Sequence, residues 1–125
     1  MSEAVENVAR EIVDATFKVH RTLGPGLLES VYEACLEYEL RRRGLKVLRQ
    51  LKVPIFYDGV ELDADLRLDL LVEGCVIVEI KSVEAMNPVF KAQALTYLKL
   101  TGHRLCLLIN FNVPLIKDGI KRVVL

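Results

Sequence analysis

Arg67-Leu68-Asp69-Leu70-Leu71-Val72-Glu73-Gly74-Cys75-Val76-Ile77-Val78-Glu79-Ile80-Lys81 is the stretch on which the reading of the whole chain turns. Two short runs rich in Leu, Val and Ile, Arg67 to Val72 and Cys75 to Lys81, meet at Glu73-Gly74 and predict a hairpin of two strands apolar on both faces. Such strands sit centrally in a sheet, with helices over both faces. Asp69, Glu79 and Lys81 break the pattern, because charges are almost never fully buried unless they are paired or bound to a metal.

Successive strand residues alternate faces, so Glu79 and Lys81 share one face about 6.6 Å apart while Ile80 points away. The loop decides where Asp69 goes. A two-residue loop at Glu73-Gly74 sets Asp69 opposite Val78, on the wrong face. A three-residue loop ending in a left-handed Gly74 sets it opposite Ile77 and diagonal to Glu79, roughly 7–8 Å away along the backbone. From there two carboxylates reach one ion. Mg²⁺ takes one or two protein carboxylates and keeps water and substrate phosphate for its other positions, so Mg²⁺ or Mn²⁺ suits the pair. Lys81 then has a role in holding the nucleophile or neutralising charge on a phosphoryl group. The competing account is a Lys–carboxylate ion pair at an exposed strand end.

Working outward, Val5, Val8, Ala9, Ile12, Thr16 and Val19 recur at helical spacing and predict a first amphipathic helix, broken by Gly24-Pro25-Gly26. A second helix is expected from Leu27 to Arg43, stopped by Gly44. Lys46 to Tyr57 reads as a strand, followed by the turn signal Asp58-Gly59. Asn87-Pro88 opens a helix that runs to Leu100 and ends at Thr101-Gly102. Leu105 to Asn110 is a buried strand, and Ile120 to Leu125 offers a closing one after Asp118-Gly119. The order α-α-β-β-β-α-β, with room for a final β, is that of an α/β sandwich in which helices flank a mixed β-sheet.

The chain of 125 residues is expected to form one domain, residues 1–125, with no linker tract and no internal repeat. Hydrophobic residues make up 52% and charged residues 27%, a globular composition. The apolar runs are too short for a membrane helix and the start lacks a signal-peptide pattern, so no membrane is expected and a cytoplasmic location is. Cys35, Cys75 and Cys106 are odd in number and contain no CxxC pair, against both a disulfide framework and a zinc site. Lys plus Arg and Asp plus Glu balance at 17 each, which removes the basic field of a tight nonspecific duplex binder. One local exception is Arg41, Arg42, Arg43, Lys46, Arg49 and Lys52, either a phosphate-contacting patch or a solvated helix end whose cations suit the helix dipole. His20 and His103 lack ligand spacing, and Asp65 is expected to face solvent. An exposed edge strand at the end of the chain is a feature that a homodimer would cover.

Two helical segments bear on the hairpin charges. In Gly26-Leu27-Leu28-Glu29-Ser30-Val31-Tyr32, Glu29 falls in the first turn of the second helix; in Gln93-Ala94-Leu95-Thr96-Tyr97, Gln93 and Tyr97 share one face. With Val19 to Gly26 before the first of these and Leu108-Ile109-Asn110-Phe111-Asn112-Val113-Pro114 after the second, the ordered set resembles the PD-(D/E)XK nuclease superfamily. More closely, it resembles the GxxExxY proteins, whose motif Gly26, Glu29 and Tyr32 match. The resemblance covers nearly the whole chain and implies a restriction-endonuclease-like fold. It implies Asp69 and Glu79 as metal ligands, Lys81 as the catalytic lysine, and Glu29 as an acidic residue facing the metal. Gln93 and Tyr97 match the QxxxY element of some of these nucleases. Leu68 stands where the superfamily name has proline, a residue that does no chemistry. The implied activity is Mg²⁺- or Mn²⁺-dependent phosphodiester hydrolysis in DNA. The alternative is a nucleic-acid-binding or assembly module that keeps the fold without turnover.

Overall fold

The computed structural model describes all of residues 1–125. Helix α1 (Glu3–Leu23) starts at Ser2, whose Oγ accepts the Val5 N–H at 3.2 Å, an N-cap that satisfies one otherwise orphaned donor. Helix α2 (Glu29–Arg42) follows the Gly24-Pro25-Gly26 break and ends as expected before Gly44, whose φ is +85°. Strands β1 (Val47–Tyr57), β2 (Val60–Val72) and β3 (Val76–Lys81) come next. Helix α3 (Pro88–Thr101) is capped by Asn87, with proline in its first turn and Gly102 in the left-handed region after it. Strand β4 (Leu105–Asn110), a 3₁₀ turn over Ile116–Gly119 and β5 (Ile120–Val124) complete the chain.

The element order is the expected one, and the expected final strand is present. The five strands lie in the order β1-β2-β3-β4-β5, antiparallel except for the parallel pair β3–β4, whose crossover is α3. On one face Leu70, Val72, Val78, Ile80, Leu107 and Ile109 pack against α1 and α2. On the other, Leu71, Ile77, Cys106 and Leu108 pack against Ala94 and Leu98 of α3. Strands β3 and β4 are thus covered on both sides, which is why they read as mainly apolar runs, with Glu79 and Lys81 the exceptions in β3. No helix is long and apolar enough to cross a membrane. The three cysteines are free.

Two expectations change. Strand β2 begins at Val60, not near Arg67, and pairs with β1 to make a long ribbon, while β3 pairs only with its last residues, Leu70 to Val72. The β2–β3 connection is odd in length, but its three residues are Glu73, Gly74 and Cys75, because Val72 pairs with Val76. Continuing that register sets Asp69 directly across from Glu79, rather than across from Ile77 as expected. Glu73 and Gly74 both hold positive φ, so the tight reversal takes two left-handed residues and pushes Cys75 into the loop.

Gly119 has an ordinary φ; what it supplies is space. A Cβ there would lie 2.1 Å from the Asn110 carbonyl oxygen, a backbone atom that cannot swing aside. Gly119→Ala is therefore expected to lower unfolding free energy by about 2 kcal/mol or more in urea titration, through forced separation of the 3₁₀ turn from β4.

Candidate active site

The β1–β2 ladder is irregular at two places, a register shift between Pro54 and Phe56 and a break nearer the hairpin charges. Along β1 the register pairs Arg49 with Leu70 and Leu51 with Leu68, but Gln50 and Asp69 between them are unpaired, and Gln50 has φ +52°. Leu70 faces the α1–α2 layer and Leu68 faces the α3 layer, although residues two apart on a regular strand share a face. Arg49 reaches α2, and Leu51 packs on the α3 side. Both strands thus roll over at the same point, a distortion of the bulge kind that re-aims side chains near functional sites.

Asp69 lies at that roll, and beyond Leu70–Val78 its carboxylate and that of Glu79 take over the work of the ladder. The Asp69 N–H donates to Glu79 Oε2 at 2.9 Å, and the Ile80 N–H donates to Asp69 Oδ2 at 2.7 Å. Each acid thereby binds the backbone of the other acid's strand. Glu79 is 4% exposed, yet no lysine or arginine forms an ion pair with either acid. Burial, then the charge of Asp69, pushes the Glu79 carboxyl up to about 8. Burial likewise raises Asp69, partly offset by the Ile80 N–H. The pair is short of positive charge.

Lys81 supplies some without closing on either acid. Its Nζ sits 4.6 Å over the Phe90 ring of α3, and its charge acts on both carboxyls from beyond ion-pair distance. The simple ion-pair account of the ExK tripeptide therefore fails. Tyr97, half-buried on α3, feels the same charges: burial first, then Glu79 and Asp69, raise its phenol. Gln93, on the same helix, is exposed and makes no hydrogen bond to the acids.

On the α2 side, a cavity of about 210 Å³ is lined by Glu29, Ser30, Glu33, Gln50, Asp69 and Ile80. Glu29 stands at its rim, exposed in the first turn of α2. It shares the cavity with Asp69 but forms no three-carboxylate cage with Asp69 and Glu79; no three acidic, histidine or cysteine side chains converge that closely anywhere in the molecule. The donor set still fits a hard divalent cation. One buried and one half-buried carboxylate, neither in an ion pair, are a donor set that Mg²⁺ or Mn²⁺ uses when water and substrate complete the shell.

The loop that places Glu29 is held by the motif around it. Tyr32 is fully buried and stacks on Phe111 with ring centroids 4.4 Å apart. Its hydroxyl donates to the Gly24 carbonyl at 2.6 Å and accepts the Leu27 N–H at 3.1 Å. Ser82 Oγ, one residue beyond Lys81, donates to the Leu27 carbonyl at 2.6 Å. Asn110 Oδ1 accepts the Val83 and Asn112 N–H groups, and its Nδ2 donates to the Val83 carbonyl, so the end of β3 is tied down too. His20 Nε2 meets the Val113 carbonyl at 2.8 Å; a carbonyl only accepts, so that nitrogen carries the hydrogen and His20 is structural.

Glu33 and Gln50 are neighbours of Asp69 that sequence reasoning missed, and Arg49, read from the sequence as part of a phosphate-contacting patch or a solvated helix end, is joined to them. Glu33, one turn after Glu29, is 6% exposed and accepts from Arg49 Nε at 3.0 Å and Gln50 Nε2 at 2.7 Å. The i, i+4 spacing from Glu29 is the one signal that pointed to it. Half of the basic stretch is spent on such contacts. Arg43 pairs with Glu11, Asp14 and Glu39, Arg49 with Glu33 and Glu37, and Arg41 with Glu37, leaving Arg42, Lys46 and Lys52 without an ion-pair partner.

No curated protein and no solved structure matches the chain significantly. One family model does, over residues 6–123, and its description is the PD-(D/E)XK nuclease superfamily. The match spans both sheet faces and every residue of the site, and the α/β architecture with its mixed five-stranded sheet agrees with a restriction-endonuclease-like fold. The chain belongs to the PD-(D/E)XK nuclease superfamily.

Proposed function

We propose that residues 1–125 act as a single nuclease domain of the GxxExxY type that hydrolyses phosphodiester bonds in DNA with Mg²⁺ or Mn²⁺. The observation that carries this reading is the Asp69–Glu79 pair, half-buried and buried, with no ion-pair partner and beside a lysine that closes on neither acid. Asp69 and Glu79 would hold the cation, with Glu29 at the rim of the same cavity as the nearest further carboxylate. When bound, the cation would supply Lewis-acid polarisation of the phosphate and favour an ionised water. Lys81 keeps an ammonium beside the pair, where it orients the nucleophile or stabilises charge on the phosphoryl oxygens. Tyr97 and Gln93 present a hydroxyl and an amide from α3, on the Lys81 side, for the strand being cut. The unpaired Arg42, Lys46 and Lys52 offer the backbone phosphates fewer cations than the sequence alone shows.

Linear, nicked and single-stranded DNA incubated with Mg²⁺ or Mn²⁺ tests this reading. Cleavage that disappears with chelator and falls about 100-fold or more in Lys81→Ala is expected. Mn²⁺ is expected to raise the melting temperature of the unmodified protein and not that of Asp69→Asn. Cleavage surviving unchanged in Lys81→Ala sinks the assignment of the lysine. Metal binding without cleavage of any substrate would leave a metal-binding module.

A further inference from the structure

Three residues other than glycine hold positive φ: Asp58, Glu73 and Gln50. Asp58 and Glu73 lie in hairpin turns, where the chain must reverse. Gln50 lies within β1, where nothing reverses and where its long side chain gains nothing from the left-handed region. Strain of this kind persists only when the surroundings hold it in place, and it gathers at functional sites.

The surroundings that hold Gln50 are two acids. Its Nε2 lies 2.7 Å from Glu33 Oε1 and 3.3 Å from Asp69 Oδ1. Ionised carboxylates only accept, so the amide nitrogen must be the end that faces them, and its two hydrogens serve one acid each. Glu33 is itself fixed: Arg49 Nε holds its other oxygen, and the residue is buried at the base of α2. The carboxamide therefore transmits the position of α2 to Asp69, and it places two donor hydrogens between carboxylates that would otherwise repel.

We propose that Gln50 is a positioning residue, whose left-handed backbone rolls β1 over at Asp69 and whose carboxamide clamps the Asp69 carboxylate to the anchored Glu33. The consequence for metal binding rests on the proposed function above. The clamp itself does not. A regular strand conformation at residue 50 would keep Arg49 and Leu51 on a single register of faces, carry the amide out of the cavity and free Oδ1 of Asp69. Unlike an ordinary structural contact, this one holds a strained backbone, so removing it should change site function far more than stability.

Gln50→Gly and Gln50→Asn separate the two. Both replacements suit the left-handed region better than glutamine, and neither reaches both acids. Expected in the metal-free protein are a melting temperature within a few degrees of the unmodified protein's, because relief of backbone strain offsets the donor lost to Glu33, and a displaced or broadened Asp69 ¹³Cγ resonance in carboxyl-labelled samples. In calorimetric titration, Mn²⁺ affinity is expected to fall about 10- to 100-fold, the usual effect of removing a group that orients a ligand. An Asp69 resonance identical to that of the unmodified protein would overturn the proposal. So would a melting temperature lowered in both variants in step with the affinity, because Gln50 would then be ordinary packing. If the unmodified protein binds no Mn²⁺, the metal reading fails, and the carboxyl resonance still decides whether Gln50 holds Asp69.

Discussion

Glu79→Gln is expected to stabilise the metal-free protein at neutral and mildly alkaline pH, on the order of 3 kcal/mol near pH 7. Burial and the charge of Asp69 lift the Glu79 carboxyl from 4.5 to about 8, so the folded state binds this proton far more tightly than the unfolded state does. A raised carboxyl contributes stability that is fully present below about pH 4.5 and is lost as pH climbs to about 8. Glutamine carries no such proton, and its amide oxygen still accepts the Asp69 N–H. Urea titrations of both proteins in chelator, from pH 5 to pH 8.5, should therefore diverge steadily as pH rises. Parallel curves would show that Glu79 is ionised at little expense. A bound divalent cation should reverse the trend in the unmodified protein, because a ligand carboxylate must release its proton, and binding should tighten with pH over the same range.

Truncating Tyr32 is the other large change. The ring is fully buried against Phe111, so Tyr32→Ala is expected to lose about 3–5 kcal/mol, on the order of 15 °C in melting temperature. Tyr32→Phe keeps the stack and removes only the hydroxyl, which bonds the Gly24 carbonyl and the Leu27 N–H. Its expected loss is about 1–2 kcal/mol. Because that hydroxyl fixes the loop leading into Glu29, the phenylalanine variant should also show faster amide exchange at Leu27 than its small loss of global stability explains. Exchange at Leu27 no faster than in the unmodified protein would mean that the loop is held by Ser82 alone.

Much of this organisation was legible in the chain itself. The hairpin from Arg67 to Lys81 identified the central strands, and the caps at Asn87-Pro88 and Gly102 bounded α3, because each depends on local chemistry. Loop parity correctly required an odd connection, but which residue joined it depended on Glu73 adopting positive φ, a conformation that glutamate does not advertise. The early start of β2 was written in the alternation of Val60, Leu62, Ala64 and Leu66 with Glu61, Asp63 and Asp65, and the charge density of that stretch obscured it. The basic stretch misled for a different reason. Two of its pairs, Glu37–Arg41 and Glu39–Arg43, are i, i+4 neighbours along α2, but Glu11 and Asp14 reach Arg43, and Glu33 and Glu37 reach Arg49, only in the folded chain. Asp69, Glu79 and Lys81 stood out as charges in an apolar setting. Gln50 did not, since a polar residue in an edge strand needs no explanation until its backbone is seen.

Asp69 and Glu79 also close the seam between β2 and β3, each accepting a backbone N–H from the other's strand where the ladder itself has stopped. That double duty links inheritance of the site to inheritance of the fold. Under the proposed function, a descendant that abandoned cleavage would still be selected to keep two acceptors at these positions, because hydrophobic replacements would strand two peptide donors inside the sheet. Lys81 carries no such structural obligation, so decay of the reaction in a lineage should show first as drift at the lysine, with the acids persisting long after it.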